Sequence, residues 1–465
     1  MFTSLRQLDG RHRWLWPAGW LLCAVWAGAF PLVSPLGPHR DWGVVAAAGY
    51  LLAAVAAAPW WRRDTRMLSA ALALLTAGLL PLALALRTGA GQSEVTVIGR
   101  AGTELLTHGS PYLDSPTSVL DLTPYLPGMA AFGLPHALLG PNSPLGDPRL
   151  WCAAAFLATT GAAWHLLRGR HSGQVRPGPT AGAVAPPASP DGRRRTRRPG
   201  PRQPPAALRA RLPSTRTPLS PGAVALVASP VVALPLAVSG VDLPMIGLLC
   251  LALALAARRR AGAAGLALAA ACALKWTAWP AVAVAVALLA AVAGQRAAWR
   301  CAGVAVTGTT ALMAPWLVLA PGPMVRQVFA FPLGLGEWRT PAASPLPGRL
   351  LAQLGTGGWW SALVLLLLGG GAVAVSLVRR PPADAVAAAD RLAVGLALAF
   401  LLAPAGRYGY LALPLFLAVF TRLASPLAPT PRRPAAASAA PPSAARRPGA
   451  PAPAPADPPV LVSAP

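Results

Sequence analysis

Lysine is nearly missing from this chain: of 40 basic residues, only Lys275 is a lysine. The Ala, Pro and Arg excess beside it points to a GC-rich coding bias, so the arginine count by itself says little about partners. Acidic residues are also scarce, 14 in 465, and charged residues make up 12% of the chain. Soluble domains carry about 25% charged residues, so that deficit excludes an ordinary soluble fold. The five cysteines, Cys23, Cys152, Cys250, Cys272 and Cys301, all lie in apolar runs or at their edges. None has metal-type spacing, which excludes a zinc framework and a disulfide scaffold. No small-residue cleavage site follows the first apolar run, so it is expected to stay in the membrane. The interiors of the apolar runs almost lack ionisable residues. That argues against a pump or ion-coupled transporter, which carries such groups at mid-membrane depth.

What remains is apolar: 55% of the residues are hydrophobic, and many runs approach the roughly 20 residues that cross a bilayer. The pattern predicts an all-α polytopic membrane protein of about 12 transmembrane helices. The expected spans are 15–33, 43–60, 67–86, 150–167, 222–239, 245–257, 261–274, 280–293, 304–319, 359–378, 392–403 and 411–423. With both termini cytoplasmic, this count puts every strongly basic cluster on one side, as the positive-inside rule requires. The net charge of +26 is then topogenic, and a nucleic-acid partner is not expected. The chain divides into N-terminal membrane helices (1–167), an Arg/Pro-rich insert (168–220), C-terminal membrane helices (221–423) and a Pro/Ala-rich tail (424–465). Insert and tail lack apolar periodicity and are expected to be disordered and cytoplasmic.

The stretch Ser93–Gly128, within a loop spanning 87–149, is neither apolar enough to span nor rich enough in Pro and Arg to be disordered. It holds Glu94, Glu104, Asp114 and Asp121, with Tyr112 and Tyr125. A short helix is expected over Thr103–Thr107, and Tyr125–Leu139 reads as an interfacial or re-entrant segment. The topology brings this loop to the outer face together with the Asp242 turn, the Lys275 hairpin tip, a second loop over 321–357 and the Arg407 turn. These residue types suit sugar transfer from a lipid-linked phosphate. One carboxylate takes the proton of an acceptor hydroxyl, cations stabilise the leaving phosphate, and aromatic rings carry the sugar. Glu94 is the candidate base, with Asp121 next in line. Lys275, Arg407, Arg349 and Arg339 are candidate cations. Tyr112, Tyr125, Trp276, Trp279, Trp338, Tyr408 and Tyr410 are candidate platforms, with Asp242 a further substrate contact. Each has a plainer reading: Asp242 as a turn or N-cap residue, Lys275 as a snorkelling anchor, Arg407 as a helix cap, Tyr and Trp as an interfacial belt, Asp114 and Asp121 as surface acids.

The string EVTVIGRAGTELLTHGSPYLD resembles the first outer loop of glycosyltransferase family 87. DLTPYLPGMAAFGLP, SGVDLPMIGLLCLALAL, ALKWTAWPAV, SPLPGRLLA and LAPAGRYGYLALPLF resemble later blocks in the same order, over about residues 90–420. The resemblance implies a GT-C bundle with its active site in outer loops. It also implies a polyprenyl-phosphate sugar donor, transfer of a hexose, mannose in that family, to a lipid or glycan acceptor, and no metal or other cofactor. Glu94 stands where the family has Asp, Val97 and Ile98 where it has a Tyr, and Arg349 where it often has His. Two other classes stay open: a catalytically inactive scaffold of envelope assembly, and a lipid or polysaccharide flippase.

Overall fold

The computed structural model describes residues 14–59, 64–169, 220–335, 337–338 and 340–425. The N-terminal arm, most of the Arg/Pro-rich insert, Arg339 and the tail lie outside the described residues. Within them the chain is helical, and the one β-type pairing is an isolated bridge between Ala343 and Gly406.

Seven helices are long and apolar enough to cross a membrane: Leu15–Val33, Arg66–Thr88, Pro148–Arg168, Trp276–Ala293, Gln295–Leu319, Thr356–Arg379 and Ala385–Leu402. Pro221–Ala228 and Pro230–Val238 make an eighth if their 48° bend is counted within one span. The chain is a multi-pass membrane protein. Four of the twelve expected spans are not among these: Gly37–Ala56, at 20 residues, is not apolar enough, and Leu243–Ala257, Ala261–Leu274 and Tyr408–Ala424 are apolar but only 10–17 residues long. At about 1.5 Å rise per residue, such helices reach less than the roughly 30 Å hydrocarbon core.

Two of those short helices form the centre of the molecule. Leu243–Ala257 and Ala261–Leu274 are apolar all round and buried along nearly their whole length. A helix with no polar face has no stable place except inside a core. The side chains of Phe156, Trp164, Leu288, Cys301, Leu392 and Phe416 close around them. Thr356–Arg379, in contrast, buries only Ala362 and Leu377 and turns Leu367, Leu368 and Val378 outward. A second cluster, with Trp20, Trp42 and Tyr50, joins Leu15–Val33 and Gly37–Ala56 to the bent pair. There the Tyr50 hydroxyl donates to the Ala228 carbonyl at 2.6 Å, in the Ala228–Pro230 break where a backbone carbonyl needs a partner.

One end of the bundle gathers arginines. Arg168 donates to the Leu423 carbonyl, Arg258 to the carbonyls of Leu166 and Gly169, and Arg422 holds Asp390 with two bonds.

The central polar stretch departs from the sequence expectation. In place of a five-residue helix there is one of 16 residues, Ser93–His108. Its glycines and β-branched residues are weak helix formers, but tertiary packing overrides propensity. Val97, Ile98 and Ala101 are buried on one side, and the helix closes at Gly109, whose φ of +72° suits glycine. The segment after it packs onto this helix at backbone contact. A Cβ on Gly102 would stand 2.1 Å from the Gly133 carbonyl carbon, and one on Gly133 would stand 2.0 Å from the Ile98 oxygen. Only this glycine pair permits that approach. The expected interfacial segment is two short turns, Pro127–Gly133 and Leu134–Leu139.

Candidate active site

Glu94 lies in the first turn of helix Ser93–His108, where the helix dipole favours a carboxylate. The preceding backbone is anchored, since the Gln92 N–H donates to the Val238 carbonyl at 2.8 Å. The Glu94 carboxylate accepts a short bond from the Arg407 guanidinium. The two side chains are 13% and 30% exposed, so the pair is withdrawn from water but still reachable. Arg407 is presented by an extended turn stitched to the second loop: Ser344 N–H donates to the Gly406 carbonyl and Gly406 N–H to the Ala342 carbonyl, both at 3.0 Å.

Lys275 sits in the break between Ala261–Leu274 and the turn Trp276–Ala278. Its ammonium meets the Asp242 carboxylate at 2.6 Å. Asp242 occupies the N-cap position of Leu243–Ala257 yet makes no cap bond there, so the pairing with Lys275 replaces the plainer N-cap role. Lys275 also lies over the rings of Tyr410 and Tyr125, at 5.0 and 5.6 Å from their centroids, within cation–π range. Tyr125 reaches this point because Leu126 N–H donates to the carbonyl of Leu274, the residue before Lys275, at 3.1 Å.

Electrostatics bind the two pairs into one site. Burial alone pulls the Lys275 ammonium down, but Asp242, Tyr410 and Glu94 more than offset it and hold its pKa above the ordinary lysine value. Burial likewise opposes the Arg407 charge, and Glu94, with Tyr410 and Tyr125, holds it above its usual value. The Tyr125 phenol is pushed well up by burial and by the Glu94 and Asp242 carboxylates. Glu94, Tyr125, Asp242, Lys275, Arg407 and Tyr410 therefore form one group of mutually interacting side chains, assembled from five separate parts of the chain. Its chemical capacity is that of an anion site with a carboxylate beside it. Lys275 carries three N–H donors, of which one is engaged with Asp242.

The other expected residues are placed differently. Tyr112 is 3% exposed and lies with Leu126, Met313, Met324 and Val328, against which Trp276 also packs. Its hydroxyl donates to the Tyr125 carbonyl at 3.0 Å, so Tyr112 and Trp276 prop the Tyr125 segment from behind. Tyr408 is 56% exposed beside Arg407, with its N–H on Ser344 Oγ at 3.3 Å. Arg349, on the short helix Pro347–Ala352, has a buried Nε without a hydrogen-bond partner among the described residues. Asp121 is occupied: its Oδ2 accepts from the N–H and hydroxyl of both Thr117 and Ser118 at 2.8–3.1 Å. Those bonds, Thr117 foremost, lower its pKa, and a carboxylate so engaged is a loop lock, not a base in waiting. Asp114 is exposed.

Three residues absent from the sequence reading belong here. His39 lies next to Gln92, Nε2 to Nε2 at 2.5 Å, and feels the charges of Glu94 and Arg407. It lies in the first turn of Gly37–Ala56, in a stretch that the expected topology puts on the same side as Glu94, a signal the sequence carried. Gln327 is 1% exposed. Its side chain accepts from Thr123 N–H at 2.9 Å and donates to the Leu113 carbonyl at 2.6 Å, which ties the two long loops together. Arg149, buried and paired with Asp147 at 2.7 Å, also holds the Ala90 carbonyl at 2.8 Å, just ahead of the Glu94 helix. Among the described residues no group of three His, Cys, Asp or Glu side chains is placed to hold a metal ion.

Comparison of the chain with known family models, with curated proteins and with solved structures finds no match. The resemblance to glycosyltransferase family 87 thus stands on the quoted sequence blocks alone.

Proposed function

We propose that this protein is a membrane glycosyltransferase that moves a hexose, mannose by the sequence resemblance, from a polyprenyl-phosphate donor to a lipid or glycan acceptor at the outer face of the cell membrane. The observation that carries the reading is the meeting of Glu94 with Arg407, 313 residues away, beside the Lys275–Asp242 pair. In this mechanism the donor phosphate takes Arg407 and the unspent Lys275 donors, and Glu94 is released from its partner. The acceptor oxygen attacks the anomeric carbon and its proton passes to Glu94. The bond from that carbon to the phosphate oxygen breaks with its electron pair leaving on the phosphate, where the two cations stabilise it. The step inverts the anomeric centre and needs no metal. Tyr125, 5% exposed, and Tyr410 flank the cations. Tyr410, only partly buried, and the exposed Tyr408 offer ring faces to the sugar, and Arg349 is a further cation for the donor phosphate.

The same reading takes the chain across the membrane twelve times. The seven long helices and the bent pair supply eight crossings. Gly37–Ala56 and the three shorter apolar helices supply the other four: two of the short ones are covered by protein, and a short span is met by local thinning of the bilayer, with the arginine-rich end cytoplasmic. A cysteine placed in the 168–220 insert should then be labelled only from inside, and labelling from outside would sink the topology.

The test of the chemistry is sugar transfer from polyprenyl-phosphate mannose to crude lipid acceptors. Glu94→Gln keeps shape and hydrogen bonding but cannot take the proton, and turnover should fall about 10²–10⁴-fold while donor binding persists. Glu94→Asp, which restores the family's residue, should keep part of the activity. A Glu94→Gln protein with parental turnover would end the assignment.

A further inference from the structure

Helix Ser93–His108 has two working faces. Glu94, Ile98 and Ala101 follow one side at helical spacing, and Val95, Thr96, Arg100 and Thr103 follow the other. The second side borders an open cavity of about 410 Å³, lined also by His136, Asn142 and Asp147. Its volume falls within the roughly 300–1,000 Å³ of small-molecule sites. The reaction site described above does not use it.

The lining selects the ligand class. The hydroxyls of Thr96 and Thr103, the amide of Asn142 and the imidazole of His136 offer both donors and acceptors. An apolar ligand would offer Thr96, Asn142 and His136 no partner; the Thr103 hydroxyl already donates to the Gly99 carbonyl at 3.2 Å and keeps its acceptor capacity. An anion would find one cation, Arg100, and that charge is already answered: Asp121 lies 3.6 Å from it, and its two terminal nitrogens donate to the Leu120 carbonyl and the Thr123 hydroxyl. The remaining Arg100 Nε is buried, without a hydrogen-bond partner among the described residues, so Arg100 brings no free charge to the wall. Asp147 on the same wall is likewise paired, with Arg149 at 2.7 Å, so the lining offers no unpaired charge of either sign to hold an ion.

We propose that this cavity binds a neutral, hydroxyl-rich ring of the hexopyranoside class, as a glycan subsite on the far side of the helix that carries Glu94. It would hold a sugar of the acceptor that does not react. The choice of sugar rests on the transferase reading; the existence of the site does not.

The experiment is saturation-transfer NMR on the full chain in lipid nanodiscs, with methyl α-D-mannopyranoside as the probe and inorganic phosphate as the comparison. Saturation of the mannoside is expected. Thr96→Phe, which fills the cavity from an exposed helix position, should abolish it. His136→Ala with Asn142→Ala should weaken it about tenfold, the loss of one or two neutral hydrogen bonds. Thermal unfolding of each variant, matched to the parent, verifies that it is folded. No mannoside saturation in the parent, or saturation that survives in folded Thr96→Phe, would overturn the proposal. So would phosphate binding that Thr96→Phe removes without any mannoside binding. If Thr96-dependent mannoside binding is found but transfer proves independent of Glu94, the catalytic assignment fails and the subsite stands.

Discussion

Two buried cations lie near the same end of the bundle and do opposite work. Arg149 is 1% exposed and spends every donor it has. Its Nε and one terminal nitrogen hold the Asp147 carboxylate. The remaining bonds go to the carbonyls of Ala90 and Ala237 at 2.8 Å and Ala85 at 3.4 Å. It thereby fastens the exit of Arg66–Thr88, the end of the bent pair and the start of Pro148–Arg168. A guanidinium has five N–H groups in a rigid fork, and here the fork is full. Lys275 has one carboxylate and two ring faces, with donors left over. The saturated cation has nothing to offer a substrate, whereas the unsaturated one is held at its position by Asp242 and kept charged. Burial by itself does not mark a functional charge; unused bonding capacity beside a reachable surface does.

The sharpest way to break this contrast is Arg149→Met. It strands the Asp147 carboxylate and three carbonyls, and removing one partner of a buried pair costs about 3–5 kcal/mol. Little folded protein should survive detergent extraction, read by fluorescence-detected size exclusion. Recovery at the parental level would show that the clamp is dispensable. Lys275→Met comes next. Asp242 is 27% exposed and can turn to water, so the protein should stay folded with a modestly lowered Tm. Transfer from the lipid-phosphate donor should fall about 10²-fold. If unfolding, not turnover, took the larger loss, Lys275 would be a second Arg149.

The smallest expected effects lie in pH. The folded pKa of Asp121 is depressed by the bonds from Thr117 and Ser118. Its contribution to stability is therefore present above the ordinary carboxylate pKa of about 3.9 and lost as pH falls through the depressed value. Thermal unfolding of Asp121→Asn against the parent should differ at neutral pH and converge in that acid window. Lys275 has the opposite sign, because its folded pKa is raised. Its contribution is complete below the ordinary lysine value of about 10.4 and lost as pH rises through the raised one. The parent and Lys275→Met should converge only at the alkaline end. Convergence of the Asp121 pair at alkaline pH would reverse that assignment.

Composition and apolar run length were enough to make this a helical membrane protein, because burial in lipid imposes itself on every residue of a span. The helix Leu15–Val33 matches its expected range residue for residue. Glu94 was legible as the first carboxylate after the third apolar run, and Lys275 as the break between two apolar arms. What a linear pattern does not hold is who meets whom. Arg407 reaches Glu94 because the Ala342–Ser344 backbone pairs with the Gly406 turn. Asp242 abandons its cap for Lys275 because the two central helices pack side by side. Tyr112 turned out to be a prop, since its ring fits the Met313–Met324 pocket better than an open surface. The two innermost helices are nearly as short as the apolar runs 245–257 and 261–274 that predict them, and only the packing shows that protein covers them. Local hydrophobic patterning reports burial one element at a time. Pairings across hundreds of residues depend on how the elements pack, and only the folded bundle decided them.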